Sequence, residues 1–214
     1  MIDPISQLHR RDTFRQPEWR FQSADLPLVN PRIGFVQHLV VLDEAGQVRY
    51  DQPVITCRPG PVCVVFTQDG RLALLRHFRP IPLDPAVEPE YPITSFGKMG
   101  LVSLEFPRGG AEVGESIATA AAREVEEEVG FQVTAVKELD RGNADTAFFP
   151  ISITTCVVTI DTHQPSELCP DPLEDTEVTF VTHAEFMALV AAGRILCSQT
   201  KAAYLSYLAS EQSR

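Results

Sequence analysis

The sequence predicts an α+β sandwich, on three observations. Segments with strand patterning outnumber helical ones, the helices sit late in the chain, and the strongest helix carries an apolar stripe that can dock on a sheet. The 214 residues suit one large domain with an appendage, and 44% hydrophobic with 22% charged residues is enough to build a core.

Residues 1–33 are polar and arginine-rich, with Pro4, Pro17, Pro27 and Pro31, and read as an arm holding at most one short strand around Trp19–Gln22. From Gly34 the pattern turns to strands. Phe35–Leu42 leads into the turn Asp43-Glu44-Ala45-Gly46, and Val48–Tyr50 and Val54–Arg58 read as two further short strands. Val62–Thr67 and Arg71–Leu75 around Gln68-Asp69-Gly70 read as a hairpin. Five prolines between residues 80 and 98 make that stretch a loop, either a lid or a surface insertion. Strands follow at Leu101–Phe106, Gln132–Leu139, Ile151–Ile160 and Val178–Val181, and helices at 116–129, Ala184–Ala192 and Gln199–Ser210. The organisation expected is an N-terminal arm and sheet over 1–58, and a main domain over 59–214.

Eighteen Lys and Arg against 29 Asp and Glu give a net charge of −11, which disfavours nucleic-acid polymers and anionic membranes as partners. No apolar run approaches the roughly 20 residues that span a bilayer. Five widely spaced cysteines, Cys57, Cys63, Cys156, Cys169 and Cys197, contain no C-x-x-C pair and read as reduced and packed, which points to the cytoplasm.

The chemistry is concentrated in Gly109 to Phe131. On the helix, Glu124, Glu127 and Glu128 stand at i, i+3, i+4, so their carboxylates crowd one face. Ala118, Ala122, Val125 and Val129 form an apolar face about 130° away. Crowded like charges oppose helix stability and call for a compensating cation or a function. Three hard oxygen donors suit Mg2+ or Mn2+; a solvated acidic helix face is the alternative.

Gly109, Glu115, Arg123, Glu124, Val125, Glu127, Glu128, Gly130 and Phe131 fill every fixed position of the pattern G-x5-E-x7-R-E-U-x-E-E-x-G-U, where U is bulky and apolar. At ordinary residue usage a chance match is on the order of 10⁻⁸ per chain. The sequence therefore resembles the Nudix hydrolases. The resemblance implies an α/β/α sandwich with a mixed sheet, an additional N-terminal antiparallel β-sheet, and divalent-metal hydrolysis of a nucleoside diphosphate linked to a further moiety. It implies that Glu124 and Glu128 are metal ligands and Glu127 a third or a ligand through water, that Glu127 and Glu128 serve catalysis, that the loop at Arg108–Gly110 (Gly109 above all) adds a backbone carbonyl, and that Glu115 and Arg123 form a structural ion pair.

Leu75-Arg76-His77-Phe78-Arg79-Pro80 and Leu104-Glu105-Phe106-Pro107-Arg108-Gly109 are similar to the ADP-ribose pyrophosphatase branch. By that likeness Arg76, Arg79, Glu105 and Arg108 contact substrate, although Arg108 stands where the branch has a small residue. Glu174 is the expected general base, with Asp175 and Glu177 as competitors, and the N-terminal sheet is expected to build a homodimer. The substrate expected first is ADP-ribose, cleaved to a nucleoside monophosphate and a sugar phosphate. GDP-mannose, a dinucleotide, a coenzyme A species, or a non-catalytic nucleotide-binding role are the alternatives, and retention of every box glutamate speaks against the last.

Overall fold

The computed structural model describes residues 20–25, 34–79, 101–168 and 176–212. They fall into two compact units, one of Met1–Arg58 with Asn143–Ser152, the other of Pro59–Gly142 with Ile153–Arg214.

The first unit is a three-stranded antiparallel sheet in the order β1 (Arg20–Asp25), β2 (Gly34–Leu42), β3 (Val48–Cys57). The turn between β2 and β3 is closed by Asp43, whose Oδ1 accepts the Gln47 N–H at 2.8 Å. β3 runs unbroken where the sequence suggested two short strands. Pro53 lies within it opposite His38, and a proline is tolerated there because β3 is an edge strand. The 143–152 segment attaches to β3 through its backbone: the Ile55 N–H donates to the Phe148 carbonyl at 2.8 Å. Asp145 Oδ1 gathers the N–H groups of Ala147 and Phe148, each at 2.7 Å, and these bonds hold the Asp145 carboxyl below its usual range.

The second unit is a mixed sheet with helices on both faces. Its elements are β4 (Gly60–Thr67), β5 (Leu72–Arg79), β6 (Leu101–Glu105), α1 (Ile117–Val129), β7 (Phe131–Asn143), β8 (Ser152–Pro165), β9 (Thr176–Val181), α2 (His183–Ala191) and α3 (Ser198–Gln212). The strand order is β6-β5-β4-β8-β7, with β9 on the other edge of β5. β4 and β8 are parallel; β5 is antiparallel to β4, β6 and β9. β4 is buried nearly throughout, as a central strand covered on both faces must be. Its side chains alternate: Cys63 and Val65 pack with Ala121, Val125 and Val129 of α1, while Val62 and Val64 pack with Phe186, Ile195, Ala203 and Tyr204 below. Among the described residues no helix is long and apolar enough to cross a membrane.

α1 begins and ends where the sequence places it. Ser116 caps it by accepting the Thr119 N–H at 3.1 Å, and Gly130 ends it with φ +80°, the left-handed conformation that favours glycine. The buried face differs from the expected one. Ala120, Ala121, Val125, Glu128 and Val129 are buried, whereas Ala118 and Ala122 are only partly so. The helix is turned so that Glu128 lies within its buried arc.

Cys63 and Cys156 are register partners on β4 and β8, both fully buried against α1. Burial pushes the Cys63 thiol up, and the Cys156 thiol up to about 12. In folded protein treated with iodoacetamide at neutral pH, mass spectrometry is expected to find Cys57 and Cys197, both partly exposed, modified while Cys63 and Cys156 stay intact until denaturant is added. Modification of Cys63 as fast as Cys197 would contradict this packing.

Candidate active site

The site is assembled where the chain leaves β6 and crosses to β4. The Cys63 N–H donates to the Pro107 carbonyl at 2.9 Å, Val62 and Arg108 form an antiparallel bridge, and the Ala111 N–H donates to the Pro59 carbonyl at 2.9 Å. Residues 107–111 thus lie along the first residues of β4. The approach is close enough that a Cβ on Gly60 would stand 1.8 Å from the Gly109 carbonyl oxygen.

The box helix closes over this strand. A Cβ on Gly109 would stand 2.0 to 2.2 Å from the carboxylate atoms of Glu124, so the glycine makes the cradle in which that carboxylate lies. Glu128, 8% exposed, accepts the backbone N–H of Arg108 at Oε2 (3.1 Å), which compensates part of the cost of burying its charge.

Arg123 binds the acidic groups together. Its Nε and Nη2 reach Glu115 Oε1 and Oε2 at 3.0 and 3.1 Å; Nη1 reaches Glu124 Oε1 at 2.9 Å and Glu127 Oε2 at 3.0 Å; Nη2 also reaches the Gly110 carbonyl at 3.1 Å. All five guanidinium N–H donors are engaged. The hydrogen bond from Arg123 holds the Glu115 carboxyl below its usual range, and the same bond from Glu115 drives the Arg123 guanidinium further up.

The structure seats Glu124 against Gly109, ties Glu124 and Glu127 to Arg123, holds Glu128 on the Arg108 N–H, and pairs Glu115 with Arg123. It sets Glu105 beside Arg108, with Arg108 Nε 3.2 Å from Glu105 Oε2. Glu105 is buried, and its register partner Leu75 packs in the α1 cluster. Arg76 is not brought to the carboxylates. As the neighbour of Leu75 on β5 it points from the opposite face, where it pairs with Glu177 at 2.8 Å across β9. Arg79 ends β5 opposite Leu101, with its side chain outside the described residues, as is Glu174.

Two functional contributors were missed in the sequence. Gly60 stands between Pro59 and Pro61 with no pattern to mark it, and only its contact with Gly109 shows its purpose. Glu126, between the box positions, faces away from the other glutamates: Oε1 accepts the Val133 N–H at 3.0 Å and Oε2 the Ser166 hydroxyl at 3.2 Å, tying the end of α1 to β7 and to the chain after β8.

Among the described residues no three His, Cys, Asp or Glu side chains stand gathered to hold a metal ion, and Glu124 and Glu127 are turned to Arg123. The donor set nevertheless fits a hard divalent cation: it is all oxygen, and the Gly109 cradle seats one carboxylate against the loop backbone.

A family model described as the NUDIX domain matches residues 57–196, well over half of the chain. The chain belongs to the Nudix family, and with the box complete it is a Nudix pyrophosphohydrolase. Its fold is similar to the crystal structure of an ADP compounds hydrolase, with a TM-score of 0.63 and 18% identity over 92% of this chain and 95% of that one. Comparison with curated proteins by sequence finds no match.

Two substitutions separate the roles of the glycines. Gly109→Ala meets only the far end of the Glu124 side chain, so stability in urea is expected to stay within about 1 kcal/mol of wild type while Mn2+ affinity falls about 10-fold or more. Gly60→Ala meets backbone and is expected to cost about 1–3 kcal/mol. Wild-type Mn2+ binding by Gly109→Ala, or unchanged stability in Gly60→Ala, contradicts the close packing.

Proposed function

We propose that the protein hydrolyses the pyrophosphate bond of a nucleoside diphosphate sugar, ADP-ribose first, with Mg2+ or Mn2+ held by Glu124, Glu127 and Glu128. The observation that supports this reading is that one loop and one helix anchor all three: Glu124 lies in the Gly109 cradle, Arg123 reaches Glu124 and Glu127, and the Arg108 N–H reaches Glu128. Water's oxygen forms the new bond to phosphorus, the anhydride P–O bond breaks, and AMP and ribose 5-phosphate leave. A divalent cation, when bound, neutralises phosphate charge and activates water.

The chain's own residues supply position. Glu124 and Glu127 are oriented by Arg123 and Glu128 by the Arg108 N–H. The carbonyl of this shell is better assigned to Arg108 than to Gly109. The Gly109 oxygen lies against Gly60, whereas the extended Arg108 has its N–H, and with it its C=O, on the Glu128 side. Glu174 is the proposed general base, and Arg79 a substrate contact. A cytoplasmic homodimer formed through the first unit belongs to the same reading, supported by the exposed apolar residues Val48, Tyr50 and Ile55 on β3.

The test is hydrolysis of a panel of ADP-ribose, UDP-glucose, GDP-mannose, NADH and diadenosine polyphosphates with Mg2+ or Mn2+. ADP-ribose is expected to be cleaved best, EDTA to abolish the reaction, and Glu128→Gln to lose about 100-fold or more in kcat, at least what removal of a supporting group costs. Faster cleavage of another compound moves the substrate assignment, and turnover that survives EDTA contradicts the metal.

A further inference from the structure

Arg108 and Arg123 hold different carboxylates of the site and are used in opposite ways. Arg123 has every N–H donor engaged within the protein. Arg108 is fixed twice, by its backbone and by the first nitrogen of its guanidinium. The backbone is held on β4 by the bridge to Val62, and its N–H donates to Glu128 Oε2. The side chain is held from behind, with Nε donating to Glu105 Oε2 at 3.2 Å.

The rest of that guanidinium is available. Of five N–H donors, Nε alone has a partner among the described residues, and the side chain is 33% exposed while the Glu105 side chain is 4% exposed. Four N–H groups on Nη1 and Nη2 therefore sit on a side chain whose stem and first nitrogen are already placed. An arginine presented this way matches the bidentate geometry of a phosphate. Because Glu105 restricts the rotamers beforehand, less order has to be imposed when a ligand binds.

Charge points the same way. Glu115, Glu124 and Glu127 engage the Arg123 guanidinium, whereas Glu105 alone engages that of Arg108 and Glu128 takes its backbone N–H. Among the described residues, Arg108 is the guanidinium of this neighbourhood with N–H groups open to an anion. One side-chain length separates its guanidinium from the backbone N–H that holds Glu128, so a diphosphate seated at the box carboxylates places its second phosphate within range.

We propose that Arg108 binds the second phosphate of a diphosphate whose first phosphate is held at the box carboxylates, and that Glu105 is the positioning residue of Arg108 and touches no substrate. The site thereby selects diphosphates over monophosphates. This rests on the reading above only in placing a diphosphate at the box; it does not depend on which sugar follows.

Binding of inorganic pyrophosphate and of orthophosphate, measured by calorimetry with Mg2+ present, tests it on the full chain. Mn2+ affinity is followed separately by electron paramagnetic resonance and folding by thermal melting. Wild type is expected to prefer pyrophosphate. Arg108→Ala is expected to weaken pyrophosphate about 10-fold or more with Mn2+ affinity within about twofold of wild type, and Arg108→Lys, which keeps the charge without the fork, to recover only part. Glu105→Gln is expected to weaken pyrophosphate about threefold alone and to add nothing in the Arg108→Ala background, the coupling expected of a residue acting through another.

Pyrophosphate binding within about twofold of wild type in Arg108→Lys, or a full Glu105→Gln effect without Arg108, overturns the proposal. So does a wild type that binds orthophosphate as well as pyrophosphate. If Arg108→Ala does not fold, Arg108→Lys decides, with Glu105→Gln measured in its background. Turnover of ADP-ribose decides the other question: wild type that binds pyrophosphate through Arg108 but leaves ADP-ribose intact overturns the substrate assignment and leaves this inference standing.

Discussion

The Arg123 guanidinium is the fixed point of the site. Glu124 and Glu127 stand one turn apart on α1, with Glu115 just before the helix, and in isolation their like charges would drive them apart. One planar cation meets all three and also takes the Gly110 carbonyl, so the loop, the helix start and the helix middle share a single anchor. Lysine, a point charge with three donors, could not make these five bonds. Each partner gains from the other, which is why the Glu115 carboxyl lies low and the Arg123 guanidinium high.

That anchor acts on three layers pressed together. β4, the chain leaving β6, and the box helix approach so closely that side chains are excluded at Gly60 and Gly109. The core behind them fixes the distances: Cys63 and Val65 meet Ala121 and Val125 on one face of β4, and the stacked rings of Phe106 and Phe186, with centroids 5.3 Å apart, close the other. The carboxylates are therefore held by a rigid scaffold as well as by charge, as a site that works by positioning requires.

Much of this was legible in the sequence because the signals were local. The helix over 116–129 stands out by its pattern, the i, i+3, i+4 spacing puts three carboxylates on one helix face, and the resemblance to the Nudix pattern pairs Glu115 with Arg123. What depended on partners distant in sequence was not legible. The helix is rotated from the expected apolar face because Glu128, a charged residue that a helical wheel places outside, finds the Arg108 N–H at 3.1 Å. Arg76 reads as a site residue beside Arg79, yet the alternation of a strand sends it to the face opposite Glu105. β3 passes through Pro53 because its edge position removes the need for a donor there, and edge position is a property of the sheet.

Metal affinity measures the central claim, that Arg123 sets the geometry of the carboxylates, most directly. Mn2+ binding to Arg123→Lys and Glu115→Gln, in protein shown to be folded by circular dichroism, should fall about 10- to 100-fold below wild type, because Glu124 and Glu127 lose the group that orients them. Wild-type Mn2+ affinity in both folded variants would contradict the account.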